Sequence, residues 1–145
     1  MSAPLYNNDI LRLAASIPFH ARIAHPAATV EKRSPVCGSR VTVDVDLGAD
    51  GRVSDIGMLV RACALGQASA ALMSAHARGR SAVELAEARD QLAAWLAGER
   101  TEAPEWPGIE VLAPAIPHRA RHASIRLAFE AVAEAAALAA RGEAA

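Results

Sequence analysis

Seven consecutive residues, Val41-Thr42-Val43-Asp44-Val45-Asp46-Leu47, alternate strictly between apolar and polar. Nothing else in the chain constrains its fold as much. Successive side chains of a β-strand point to opposite faces, so the pattern predicts a strand with one buried and one wet face. Gly48-Ala49-Asp50-Gly51 then reads as a turn, and Val53 to Val60 as a second strand returning antiparallel to the first. The hairpin gives the rest of the chain a sheet to cover.

The covering elements are helical. Leu5 to Ala15 places Leu5, Ile10, Leu11 and Leu13 at helical spacing, with Asn7, Asn8 and Asp9 able to cap a start one turn in. From Phe19 to Pro35 there is no clear period, and the segment reads as a connecting loop with room for a short strand. Ala64 to Ala77 is rich in Ala, Leu and Met and closes at Gly79, a C-cap residue. Ser81 and Glu84 form a capping box for a helix to about Leu96, stopped by Gly98. Thr101 to Pro117 is a proline-rich insertion expected to pack through Trp106, Ile109, Val111 and Leu112. A last helix runs from about Ala120 to Arg141. The expectation is one α+β domain over residues 1–145: an N-terminal helix, then a small antiparallel sheet of about three strands covered on one face by three or so helices.

Composition removes several functions. The 145 residues carry 15 basic and 16 acidic side chains and a net charge of -1, which leaves no overall cationic footprint for nucleic acid or an anionic membrane. No run is long and apolar enough to span a bilayer, and the first eight residues lack the basic start and apolar run of a signal peptide. The expected location is therefore cytoplasmic, where thiols stay reduced. That context argues against a disulfide between the two cysteines, Cys37 and Cys63. A plain buried thiol is the simplest alternative for each.

Their positions favour chemistry. Cys37 lies just before the alternating strand, beside Gly38. Cys63 lies between the second strand and a helix, where unpaired N–H groups favour thiolate over thiol. Gly66 would allow close approach, with Gln67 and Ser69 as nearby donors. An antiparallel hairpin returns both cysteines to the same end of the sheet. Zinc and iron–sulfur iron favour four ligands, so more donors are needed. The residues available are His118 and His122, four apart near the last helix, with Asp55, His76 and the Ser39 hydroxyl. His20 and His25 read as ordinary solvated or satisfied histidines.

Several of these motifs, in order and at compatible spacing, resemble the U-type iron–sulfur cluster assembly scaffold family, the Isc, Suf and N-terminal Nif U proteins. The resemblance runs over nearly the whole chain. It is carried by Leu5-Tyr6-Asn7-Asn8-Asp9-Ile10-Leu11, by Cys37-Gly38-Ser39-Arg40 before the alternating strand, and by Cys63-Ala64-Leu65-Gly66-Gln67-Ala68-Ser69. Gly79-Arg80-Ser81 and Arg119-Ala120-Arg121-His122-Ala123-Ser124-Ile125 complete it, and the long insertion resembles the Suf branch. The resemblance implies a three-stranded sheet packed by helices, with metal-binding residues clustered at one tip. It also implies sulfur received from a cysteine desulfurase, a nascent [2Fe-2S] cluster held for iron–sulfur acceptor proteins, or a zinc ion bound at the same place.

The departures fall in the site. The family's third cysteine falls on His122, and its aspartate on Ser39. The histidine that precedes the third cysteine in the Isc branch falls on Arg121. The set that remains for a [2Fe-2S] cluster or zinc ion is Cys37, Cys63 and His122, with Ser39 as a weak fourth ligand and Arg119 and Arg121 offsetting charge. The chain is expected not to be an enzyme with its own substrate; Cys63 is its candidate sulfur acceptor. Alternatives are a zinc-bound sulfur acceptor for a desulfurase and a metal-free adaptor of the same fold, in either case a monomer or weak oligomer.

Overall fold

The alternating segment is the central strand of a three-stranded antiparallel sheet. The computed structural model describes residues 6–35 and 38–142. The strands are β1 (Ala28–Arg33), β2 (Arg40–Leu47) and β3 (Val53–Arg61), in the order β1-β2-β3. In register, Arg40 stands opposite Arg61 and Val43 opposite Met58, with an irregularity at Asp46 and Leu47 beside the turn. β1, expected only as room for a short strand inside a loop, pairs along the other side of β2 with Val30 opposite Val43. Three charged residues in a row, Glu31-Lys32-Arg33, hid its alternation.

Val41, Val43 and Val45 are fully buried, as the pattern requires. The opposite face departs from expectation at its centre, where Asp44 is also 0 % exposed. The cause is the segment after Pro18, which doubles back across this face. Phe19 takes a left-handed backbone (φ 58) that turns the chain onto the edge of β3. The Met58 N–H donates to the carbonyls of Phe19 and Ala21, at 3.0 and 3.1 Å, and the Val60 N–H to His20 Nε2 at 3.1 Å. An edge strand is thereby paired off from solvent. His20 is a satisfied histidine, as expected.

The strap needs room, and Gly57, directly opposite Asp44, provides it. A Cβ there would stand 2.4 Å from the Ala21 carbonyl oxygen and 2.9 Å from the Ile23 nitrogen. Asp44 then receives Arg22 Nε (2.6 Å) and Nη2 (2.9 Å), the Ile23 N–H (3.0 Å) and the Thr29 hydroxyl (2.7 Å). Burial pushes this carboxyl up. The bonds from Arg22, Thr29 and the Ile23 N–H outweigh that effect and hold it below the usual carboxylate range.

The other face carries the helices. α4 (His122–Ala140) lies across β1 and β2, and α2 (Ala64–His76) reaches β3. α3 (Ala82–Leu96) packs on α4, and α1 (Asn8–Ala15) on α2, so these two form an outer row. α1 begins one turn in, capped by the Asn7 side chain, which accepts the Ile10 N–H at 3.0 Å. The Ser81/Glu84 capping box is present in full. Glu84 is held below the usual carboxylate range by the Ser81 N–H and by Arg52. Gly79 is not the C-cap of α2, which ends at His76. Instead its N–H donates to Val53 O at 2.8 Å and fastens the interhelical turn to the start of β3.

The insertion is folded through the residues expected, with Trp106, Ile109 and Leu112 buried and Val111 half-buried against the core. Trp106 donates from Nε1 to Leu72 O at 2.8 Å and meets Phe129 edge-on at 5.1 Å between ring centres. The Arg80 guanidinium lies 4.0 Å over the Trp106 ring. Ile109–Ala115 forms a 3-10 helix with Ile109 and Leu112 in the core. A second short 3-10 turn, Arg119–Arg121, delays the start of α4 to His122.

Candidate functional site

Cys63 is the N-cap of α2. Its backbone is extended (φ -65, ψ 170) and its side chain makes no capping bond, so the thiol is left for other partners. It is half-buried at the N-terminus of the helix. Its Sγ lies 3.3 Å from Ser124 Oγ, and Ser124 Oγ lies 3.2 Å from Ser39 Oγ. Both serines are buried. In each of these two contacts either atom can be the donor. This hydroxyl chain joins three elements: the lead into β2, the start of α2 and the first turn of α4. It bears out one inference from the hairpin, since the register brings the entry of β2 and the exit of β3 to one end of the sheet. Cys37 itself lies outside the described residues.

His122 is buried at the first position of α4. Its Nε2 is 2.9 Å from Ile116 O and 3.1 Å from Ala115 O. Carbonyl oxygens only accept, so Nε2 carries a hydrogen, and the nitrogen left to bind a metal is Nδ1. The insertion that ends in these carbonyls is anchored by Trp106, and thus fixes the tautomer of the histidine.

The other sequence candidates are dispersed. His118 sits in the exposed turn before Arg119, off the helix that carries His122. His76 is exposed at the far end of α2, about 20 Å along the helix from Cys63. Asp55 is exposed beside the hairpin turn, at the opposite end of the sheet. Arg119 is exposed and Arg121 half-buried in the turn leading to His122. Ser39 takes its place in the hydroxyl chain.

Two expectations around Cys63 are corrected. Gly66 does not leave space for a ligand; its missing side chain lets α4 approach. A Cβ there would lie 2.5 Å from Ser124 Oγ and 2.7 Å from Ala62 Cβ. Ser69 is likewise no donor to the site, because its hydroxyl bonds Ile125 O at 2.6 Å. Both residues make the α2–α4 crossing. Ser124, the residue that links Cys63 to Ser39, was not singled out in the sequence. Gly66, one turn into a helix of small residues, was the available signal that another chain element comes close there.

Among the described residues, no three His, Cys, Asp or Glu side chains gather to hold a metal ion. Cys63 and His122 are the described members of the proposed set, and a thiolate with a neutral imidazole suits zinc or iron.

No family model and no curated protein matches the chain. Among solved structures, the N-terminal NifU-like protein of Brucella abortus is 38 % identical over 90 % of this chain and 91 % of that one, with a TM-score of 0.85. The chain belongs to the U-type iron–sulfur cluster assembly scaffold family. A putative iron–sulfur cluster assembly scaffold protein for the SUF system from Fervidobacterium islandicum shares the fold. It has a TM-score of 0.84 over 91 % of this chain and 96 % of that one, at 19 % identity. Within this U-type scaffold, the helix, sheet and helices fall in the order the resemblance implied. No helix among the described residues is long and apolar enough to cross a membrane.

Proposed function

We propose that this U-type scaffold holds a [2Fe-2S] cluster or a zinc ion through Cys37, Cys63 and the Nδ1 of His122. In this reading it takes sulfur from a cysteine desulfurase at Cys63 and, where it holds a cluster, passes that cluster to acceptor proteins, with no substrate turnover of its own. Family membership carries the reading. It is supported by the half-buried Cys63 at a helix N-terminus, whose sulfur sits on a hydroxyl chain. A donor set of two thiolates and an imidazole leaves a fourth position for water, Ser39 or a partner's side chain. Arg119 and Arg121 lie in the turn leading to His122, where cations offset the charge of thiolates and sulfide.

Anaerobic reconstitution with ferrous iron and sulfide tests this directly. The expected result is a coloured protein with visible sulfide-to-iron absorbance, lost in Cys63→Ala with the fold intact by circular dichroism. Ser124→Ala is expected to keep the ligands but weaken metal retention about tenfold, the effect of removing a supporting hydrogen bond. A folded, colourless wild type that instead carries about one zinc per chain favours the sulfur-acceptor role. Absence of both metals after reconstitution sinks the metal reading and leaves an adaptor.

A further inference from the structure

The sheet face away from the helices, crossed at its centre by the strap, is electrically polarised along its strands. At the Cys63 end, Arg33 stands opposite Arg40, and Arg40 opposite Arg61, so one row of arginines crosses all three strands. At the turn end of the same face, Asp46 stands opposite Asp55. Like charges directly opposite each other on neighbouring strands destabilise a sheet. Here the arginine row contains two such pairs in succession, and among the described residues Glu31 alone forms ion pairs with it. It bonds Arg33 Nε at 3.1 Å and lies 3.6 Å from Arg40 Nε. Arg61 is exposed and forms no ion pair with a described residue. Behind the row, Arg22, Glu31, Arg40, Thr42, Leu59 and Arg61 line a depression of about 240 Å³. Leu59 is 47 % exposed in it.

We propose that the row Arg33, Arg40 and Arg61, with Leu59 behind it, is the docking surface for an acidic segment of a protein partner. Arg61 is two residues from Cys63, and Arg40 follows Ser39, so a segment seated there places its protein beside the thiol. Guanidinium groups pair with carboxylates in a two-pronged geometry, and three of them in a row fit acids repeated along one extended segment. Leu59 gives an apolar side chain of that segment a surface to cover. Phosphate backbones and anionic lipid surfaces extend beyond the row, and Asp46 and Asp55 on the same face repel them. The proposal does not depend on the metal reading, because its test uses no metal.

The probe is a fluorescent peptide alternating glutamate and leucine, titrated into the full chain and followed by anisotropy. Binding is expected in low salt, weakening as salt is raised and falling about tenfold in Arg61→Glu. The same substitution puts an acid opposite Arg40, so its melting temperature is expected to rise by about 2 °C. A residue kept for stability would move both readouts down together. Equal binding by wild type and Arg61→Glu overturns the proposal, as does equal binding of a lysine-for-glutamate peptide or a lowered melting temperature in Arg61→Glu. Tighter binding of phosphatidylserine vesicles or of a single-stranded oligonucleotide than of the acidic peptide also overturns it.

Discussion

Asp44→Ala is expected to destabilise the protein by about 3 kcal/mol, measured by chemical denaturation at neutral pH. The substitution removes the acceptor of four hydrogen bonds at a position with no exposure. Thr29 and the Ile23 N–H are left without their carboxylate. The Arg22 side chain is 44 % exposed and can turn to water, which keeps the loss below that of a fully buried ion pair. The same carboxyl sets a pH dependence. Its folded value lies below the ordinary 3.8, so the folded state favours the ionised form. The stabilisation is therefore complete above the unfolded value and is lost as pH falls through the folded one. Melting temperatures of wild type and Asp44→Asn should accordingly converge as pH is lowered below about 4, where wild type loses what the variant already lacks. A constant gap down to the most acidic point at which both fold would refute this assignment. Glu84, also held low, is common to both proteins and cancels in the comparison.

Gly66→Val is expected to cost about 3 kcal/mol and to loosen the Cys63 end more than the remainder of the molecule. In an exposed helix, replacing glycine removes an entropic cost and is commonly neutral or favourable. Here any Cβ meets Ser124 Oγ at 2.5 Å and Ala62 Cβ at 2.7 Å, with the Ser124 carbonyl at 3.3 Å. The hydroxyl can rotate, at the expense of the bond to Cys63, but the Ala62 methyl cannot. The link that carries Ala62 must then shift, and the Ser124 backbone on α4 must give way as well. Combining Gly66→Ala with Ser124→Ala should recover part of the loss seen in Gly66→Ala alone, a coupling that equilibrium denaturation of the four proteins measures. Additivity of the two single changes would show that the crossing is not the source of the cost.

Which features are legible in the sequence depends on the range of the interaction that makes them. The hairpin, the Asn7 and Ser81 caps and the end of α3 at Gly98 rest on residues within a few positions of one another, and all were legible. β1 was legible only as room for a short strand, because charged residues fill the second half of it. Asp44 looked like a wet-face residue because its local pattern is that of one. It is buried by a strap whose turn lies at Phe19, far off in sequence and unmarked by any period. Ser124 was similarly silent: it bonds across 61 positions to Cys63 and across 85 to Ser39.

The sequence by itself determined the alternating strands, the small-residue helix opening at Cys63, and the family to which the chain belongs. It also placed the entry of β2 and the exit of β3 at one end, since antiparallel register follows from a short turn. The tertiary structure alone decided what surrounds Cys63. Gly66 admits α4, Ser124 reaches the sulfur, and the folded insertion turns two carbonyls onto His122 Nε2. These contacts come from the packing of whole elements, whose relative placement is set by the summed burial of many side chains rather than by any local pattern.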